Sequence, residues 1–236
     1  EGLGFLHVIL GDAAPLAPAE QLYQRLLADD PVEAAEQAER FLKDRTLIQY
    51  YDDVLVPAMK KAQADSDDGR LARGRLDDIR AAAITLLEAV SDLATSTADE
   101  DTAQSSPPLA EWQTEGAVVC VSGPSPLDEL CAGILTETLT QEGFRPQLLT
   151  STELASAQLE GKEFTGVKLV CLVMLDVERR GPYLKLIARR LRRLFPKVKR
   201  VGGFWGGERG EAGTSVMLPN IELQTSTANL EETLTL

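Results

Sequence analysis

Histidine is almost absent from this chain of 236 residues: the only one is His7. Imidazole is the commonest general base in enzymes and a common metal ligand, and residues 117–236 contain no side chain of this type. The three cysteines, Cys120, Cys131 and Cys171, show no C-x-x-C spacing, which argues against a zinc or dithiol site. We expect these cysteines to be small, buried hydrophobic residues of a protein in a reducing compartment.

Aromatic residues make up only 5% of the chain, and the net charge is −13. Both features argue against a nucleic-acid partner, because such surfaces need aromatic platforms for base stacking and an excess of positive charge. No apolar run approaches the roughly 18–20 residues that span a membrane. No secretory signal is visible either.

The chain divides into three parts by composition. Residues 18–94 carry four amphipathic helical patterns, residues 95–116 have the Ser-, Thr-, Pro- and acid-rich composition of a linker, and residues 117–236 alternate strand and helix patterns. The predicted fold class is therefore α plus α/β. We expect a four-helix bundle followed by a doubly wound, mostly parallel five-stranded sheet.

Proline and cap residues mark the helix starts in the first half. Pro18 begins the first helix, Asp30-Pro31 the second, and Thr46 can cap the third. Pro57 lies inside the third pattern and predicts a kink or a tightened turn. Asp65, Asp67 and Asp68 resemble part of a calcium loop, but the required acid at the twelfth position is missing, so we predict a solvated turn there.

Short apolar runs predict the strands of the second half. Parallel strands of such sheets place ligands at their carboxyl ends, which here predicts a site formed by residues 122–128, 175–182 and 202–213. The predicted strands are Ala117–Val121, Phe144–Leu149, Leu169–Met174, Val198–Gly203 and Ile221–Thr225.

The order of the two halves resembles the helical-plus-Rossmann-like cobalamin-binding module. The resemblance covers residues 20–236 and is carried by the bundle sequence DDPVEAAEQAERFLKDRTLIQYYDDVLVPAMKKAQADSDDGRLARG followed by the sheet. It implies a corrinoid cleft between the bundle and the sheet. The family's loop Asp-x-His-x-x-Gly, counted back from Gly143-Phe144, falls on Pro126, Asp128 and Cys131, and none of the three matches.

The resemblance implies a degenerate cofactor site. Gly202 and Gly203 resemble the family's Gly-Gly pair, where a nucleotide tail would lie against the backbone. In the loop after the first strand, Ser122, Ser125 and Asp128 are the candidate ligand-contacting residues, although a hard carboxylate suits cobalt less well than imidazole. Trp205, within the glycine-rich run 202–213, is a candidate lid over an anion or nucleotide. We therefore expect no metal site and no cofactor, with base-on cobalamin as the alternative.

The N-terminal half is similar to a second family. The stretch FLHVILGDAAPLAPAEQLYQRLLADDPVEAAEQAERFLKDRTLIQYYDDVLVPA resembles the cytoplasmic region after the last membrane helix in long members of the autoinducer-two exporter-like transporter family. This resemblance implies that residues 1–17 extend from a membrane-proximal segment. It also implies a membrane domain on the same polypeptide as partner, and a location at the cytoplasmic face of the cell membrane.

One basic segment stands out in this acidic chain. Residues 179–200 contain ten Lys and Arg and no acid, which leaves a net charge of −23 on the remainder. The helix predicted over 183–195 places four apolar residues on one stripe, which we expect to pack on the sheet: Leu184, Ile187, Leu191 and Leu194. Anionic lipid, the acidic bundle and another subunit of a homo-oligomer remain open as partners of its four arginines, Arg189, Arg190, Arg192 and Arg193.

Three functions remain open after these arguments. The first is a non-catalytic regulatory module of a membrane transporter that senses a ligand or partner in a degenerate cobalamin-type cleft. The second is a corrinoid carrier or sensor that holds base-on cobalamin. The third is a structural oligomerisation domain. We do not expect an enzyme, because SGPSP at residues 122–126 is not the G-x-S-x-G nucleophile motif and lacks a nearby histidine.

Overall fold

The computed structural model describes residues 16–97, 108–156, 159, 164–205, 223 and 225–235. The first part of the chain is helical. Its elements are α1 Pro18–Ala28, α2 Pro31–Leu42, α3 Leu47–Tyr50, a π-helical turn Tyr51–Leu55, α4 Val56–Asp67 and α5 Arg75–Thr97. Helices α3 and α4 continue into each other through the π turn, so the four predicted helical segments are present.

The predicted caps explain where these helices begin. Asp30 accepts a hydrogen bond from the backbone N–H of Glu33, and Thr46 forms a reciprocal capping box with Gln49. The turn before Pro57 is widened rather than tightened, since the Val56 N–H bonds to the Tyr51 carbonyl five residues back. Pro57 has no N–H with which to continue the α-helical pattern, and the prediction of a tightened turn was wrong.

The second part contains a parallel sheet with helices on both faces. Its elements are a 3₁₀ turn Ala110–Trp112, β1 Val118–Ser122, α6 Pro126–Gln141, β2 Gln147–Leu149, α7 Ser151–Ala155, β3 Leu169–Met174, α8 Gly181–Leu194, β4 Lys199–Phe204, β5 Thr225–Thr227 and α9 Leu230–Leu234. Within the described residues the strand order is β2-β1-β3-β4-β5, and every pairing is parallel. The predicted fold class is confirmed.

Alternate strand residues face two different cores. Val118 and Cys120 of β1 pack on the face covered by α6 and the bundle. Val119 and Val121 pack on the opposite face, where α8 contributes its predicted stripe of Leu184, Ile187 and Leu191. The three cysteines are all buried, as expected.

Part of the predicted linker lies against the sheet domain. The ring of Trp112 meets that of Phe144 edge-on, with 6.4 Å between centroids. The N–H of Gly116 donates to the carbonyl of Arg145 at 2.9 Å. The segment just before β1 is therefore held in place by the entry to β2.

Candidate functional site

The loop after β1 is built from buried polar groups that bind each other. Ser122 is only 1% exposed, and its hydroxyl accepts a hydrogen bond from the Ser151 N–H at 3.1 Å. Ser125 caps α6, since its hydroxyl accepts from the Leu127 N–H at 3.2 Å. The same hydroxyl donates to the side-chain oxygen of Gln63, which comes from α4 of the bundle. Both candidate serines therefore already have partners within the chain.

Asp128 points into the protein. One carboxylate oxygen accepts from the Ser125 N–H at 3.1 Å and completes the capping box, and the other accepts from the Leu175 N–H at 2.8 Å. The side chain is 1% exposed, and burial raises its pKa, against the opposing effect of the two N–H donors. The carboxylate thus ties the loop after β1 to the end of β3, 47 residues further along.

Gly123 belongs to this loop although sequence analysis did not select it. Its N–H donates to the Val173 carbonyl at 2.9 Å, so the loop lies close against the end of β3. A Cβ at this position would fall on a carboxylate oxygen of Asp128 and 2.8 Å from Cγ of Met174. A glycine directly after a buried strand is the only sequence signal of such a close approach.

Alanine at position 123 is expected to lower the free energy of unfolding by about 1–3 kcal/mol, because the added methyl group overlaps a fixed carboxylate. Urea unfolding would measure the loss. Gly181→Ala is the matched control, since its Cβ would meet nothing within 4 Å. The loss at position 123 should shrink in an Asp128→Ala background, since the two side chains compete for one space. If Gly123→Ala lowered the free energy of unfolding equally in the wild type and in Asp128→Ala, the close contact between position 123 and the Asp128 carboxylate would be contradicted.

Gly202 and Gly203 lie inside β4, and the space above them is filled. A Cβ on Gly202 would lie 2.5 Å from Cζ of Phe204 and 2.9 Å from Cδ1 of Leu223. A Cβ on Gly203 would lie 3.0 Å from the indole nitrogen of Trp205. The glycine pair therefore makes room for the protein's own side chains.

Trp205 is not a lid. It follows β4 directly, its side chain is fully buried, and its indole N–H donates to the Thr233 hydroxyl of α9 at 3.1 Å. That hydroxyl also lies 2.7 Å from the hydroxyl of Thr227. The indole is a core element that joins β4 to α9. Residues 206–213 of the glycine-rich run lie outside the described residues.

The sheet register brings the two groups of candidates to the same edge. Val173 of β3 pairs with Ser122 on one side and with Gly203 on the other. The serines and Asp128 therefore flank the end of β3 on one side, and the glycines flank it on the other. This is the carboxyl edge at which doubly wound sheets bind ligands.

The helical bundle covers part of this edge through direct polar contacts. Arg179 donates to Asp68 at 2.6 Å, and Arg180 donates to Asp67 at 3.2 Å. We call these four residues the arginine latch. The hydrogen bond from Arg179 is the main reason that the pKa of Asp68 is lowered. The turn at 65–68, predicted to be solvated, keeps Asp67 and Asp68 exposed and also forms a contact between the two halves.

A second contact joins the bundle to the last helix. Asp52 in the π turn accepts hydrogen bonds from the backbone N–H groups of Leu230 at 2.8 Å and Glu231 at 3.1 Å. Burial raises the pKa of Asp52, partly opposed by these two donors. No local sequence pattern predicts this contact, because Asp52 and Leu230 are separated by 178 residues.

No protein-family model matches the chain, and no curated protein matches it. A solved structure, the monomethylamine corrinoid protein of Methanosarcina barkeri, matches with a TM-score of 0.53 and 13% identity over 91% of this chain and 94% of that chain. The chain has a cobalamin-binding-like fold. The similarity to the transporter family stays a prediction. Among the helices of the described residues, none combines the length and apolarity needed to cross a membrane.

The described residues at the edge of this cobalamin-binding-like fold do not fit a corrinoid. At the position that counting matches to the family's histidine, both carboxylate oxygens of Asp128 accept hydrogen bonds from backbone N–H groups in the interior. The resemblance would place a nucleotide tail against Gly202 and Gly203, and the space beside these glycines is filled by Phe204, Leu223 and Trp205. The described residues also include no group of three His, Cys, Asp or Glu side chains that could hold a metal ion.

Proposed function

We propose that this chain is a non-catalytic regulatory module of a membrane transporter, located at the cytoplasmic face of the cell membrane. Its helical bundle and cobalamin-binding-like sheet act as two parts whose contact at the carboxyl edge responds to a ligand or partner. The observation that carries this proposal is the occupied edge: Asp128 is turned inward, and bundle side chains bind directly to the sheet domain.

The chemistry of the edge supports a non-catalytic role. The two serine hydroxyls are buried and hydrogen-bonded, and burial raises the pKa of the Cys120 thiol to about 12. Thiols with raised pKa values are poor nucleophiles. The only histidine, His7, lies outside the described residues. Saturable turnover of a small substrate by the purified chain would contradict this part of the proposal.

The arginine latch is the element through which the two halves would signal. In the full-length polypeptide reconstituted in vesicles, the double variant Arg179→Glu/Arg180→Glu is expected to change the transport rate on the order of 5-fold, the lower end of common allosteric couplings. Adding Asp67→Arg/Asp68→Arg should restore the rate, because the pairs are re-formed with reversed polarity. A latch variant with wild-type transport would overturn the regulatory role.

The latch also makes a pH prediction. Because Arg179 lowers the pKa of Asp68, the ion pair contributes to stability above the usual aspartate pKa of about 3.9 and is lost as the pH falls through the lowered value. The protection factors of the backbone amides at 65–69 and 176–181, which compare each exchange rate with the intrinsic rate at the same pH, should therefore be the same at neutral and mildly acidic pH and decrease in stronger acid. In Asp68→Asn this acid-induced decrease should be smaller.

Membrane association can be tested without knowing the transported substrate. An antibody raised against this chain should detect, in the native cells, a polypeptide longer than 236 residues that sediments with the membranes and resists carbonate extraction. Detection of a free polypeptide of this length in the soluble fraction would overturn the transporter context while leaving the occupied edge unaffected.

The fold favours a second candidate, a corrinoid carrier or sensor that holds base-on cobalamin. Base-on cobalamin needs no histidine from the protein, but it still needs space at the carboxyl edge, which side chains occupy here. A third candidate, an oligomerisation domain, predicts that the edge has no ligand at all and that the latch variants leave the parent protein's activity intact.

A further inference from the structure

A shallow apolar groove with an acidic rim lies between α5 and α6. It has a volume of about 480 Å³. Its floor is formed by apolar side chains of both helices and of β2, namely Ile84, Leu87, Leu130, Ile134 and Leu148. Its rim carries Glu88, Asp92, Glu129 and Glu137. Among the described residues that line the groove, the one basic side chain is Arg80, which is paired with Glu129 at 3.2 Å.

Helix α8 presents the complementary surface. Its inner stripe packs on the sheet, but Leu186 points outward and is 57% exposed. Exposed basic side chains surround this leucine: Lys185 precedes it, and Arg189 and Arg193 follow at one and two helical turns. These three make no ion pair with the described part of the chain.

The two surfaces cannot meet within one molecule. Helix α8 covers the sheet face that contains Val119 and Val121, and α6 covers the opposite face with Val118 and Cys120. A contact between the groove and α8 must therefore join two copies of the chain. Of the large hydrophobic side chains exposed in the described residues, one, Leu186, lies on α8 and another, Ile84, lies in the groove.

We infer that α8 of one molecule docks in the α5–α6 groove of a second copy of this chain. Leu186 enters the apolar floor, and the surrounding Lys and Arg side chains face the acidic rim. The contact is heterologous, because two different surfaces meet, and it generates head-to-tail rings or open chains. One helix in one groove is a small interface, and interfaces below about 1,200 Å² belong to weak complexes, so assembly should depend on protein concentration.

Two variants separate the two surfaces. Leu186→Glu/Arg189→Glu destroys the α8 surface and leaves the groove intact, whereas Glu88→Arg/Glu137→Arg reverses the rim and leaves α8 intact. All four positions are exposed, so the fold should be retained. Lys43→Glu/Arg45→Glu and Glu36→Arg/Glu39→Arg make charge changes of the same sign and at least the same size on exposed positions of the bundle, away from both surfaces.

Gly133 offers a variant without a charge change. It lies in α6 at the groove, and a Cβ there would meet nothing within 4 Å. Gly133→Leu should fill the groove and raise the helix propensity of α6, since Gly is disfavoured in helices by roughly 1 kcal/mol. Loss of assembly with undiminished thermal stability would exclude unfolding as the cause.

Sedimentation velocity over a wide concentration range tests the inference. For the wild type and both control variants, the average mass should increase with concentration and decrease in about 0.5 M salt, where the Debye length falls well below 10 Å. Each surface variant and Gly133→Leu should remain monomeric. An equimolar mixture of the two surface variants should form dimers and nothing larger, because one intact groove and one intact α8 remain.

Several results would overturn the inference. A wild type that stays monomeric at every concentration would do so, and so would surface variants that assemble like the wild type. A mixture of the two surface variants that stays monomeric would exclude a head-to-tail contact. Binding of the monomeric wild type to vesicles containing about 30% phosphatidylserine, lost in Leu186→Glu/Arg189→Glu, would assign α8 to an anionic lipid surface instead.

Discussion

Replacement of Trp205 by alanine is expected to lower the free energy of unfolding by about 3–5 kcal/mol, the usual cost of removing a buried aromatic side chain. The indole is fully buried, and its N–H is bonded to Thr233. A lid would behave differently, since its removal would alter ligand affinity and leave stability almost unchanged. Urea unfolding followed by circular dichroism measures the loss without relying on the fluorescence of the tryptophan removed.

Trp205→Phe is the informative control. It keeps most of the apolar volume and removes the hydrogen bond to Thr233, so its cost should be clearly smaller than that of alanine. The second control is Trp112→Ala, which removes the other tryptophan of the chain from a partly buried position beside Phe144. A Trp205→Ala variant with a stability within about 0.5 kcal/mol of the wild type would contradict the core assignment and restore the lid interpretation.

Replacement of Asp128 by alanine is expected to cost about 3 kcal/mol, because the backbone N–H groups of Ser125 and Leu175 are left buried without an acceptor. The reciprocal half of the capping box at the start of α6 is lost at the same time, although Ser125 remains as the N-cap. Asp128→Asn should cost less, since its carbonyl oxygen can still accept one of the two bonds. Glu129→Gln, at the next and half-buried position, should change stability little.

The same position gives a gain-of-function test. Asp128→His places the imidazole that the cobalamin-module resemblance calls for at the matching position. We expect this variant to be destabilised like Asp128→Ala and to bind no corrinoid, because the surrounding space is filled whichever side chain stands at 128. Corrinoid binding by Asp128→His alone would show that the histidine was the only part of the site that had been lost.

Local signals predicted most of the fold. The apolar run Leu169–Met174 is β3 without any shift, and Pro18 and Pro31 are the first residues of α1 and α2. The last strand was less well placed: it was predicted over 221–225, and β5 spans Thr225–Thr227, with positions 221, 222 and 224 outside the described residues. Its three polar residues have no apolar pattern, and their position is set by pairing with β4.

The site was only partly predictable. The resemblance selected Asp128 by counting and the Gly202-Gly203 pair by its Gly-Gly pattern, and all three residues lie at the carboxyl edge of the sheet. The orientation of Asp128 depends on the Leu175 N–H, and the burial of Trp205 depends on Thr233. Neither contact produces a recognisable pattern in the sequence around Asp128 or Trp205. The glycines on both sides of Phe204-Trp205 favoured a loop, but tertiary packing places these aromatic side chains in the interior.

The bundle–sheet contacts were missed for a similar reason. Gln63, Asp67 and Asp68 stand among polar residues at the end of a helix, where solvent exposure is the usual outcome. Their partners, Ser125, Arg180 and Arg179, follow strands far along the chain. Only the tertiary fold places the acidic turn at 65–68 next to the start of the basic segment 179–200. The resulting picture is a cobalamin-binding-like fold whose ligand edge is closed by its own residues.

Incubation of the purified chain with excess hydroxocobalamin, followed by gel filtration with visible absorbance and a thermal-unfolding scan, tests this closed edge most directly. We expect that no corrinoid absorbance elutes with the protein and that the unfolding midpoint is unchanged, since a ligand that does not bind the native state cannot stabilise it. Stoichiometric corrinoid eluting with the protein, together with a raised midpoint, would contradict the closed edge.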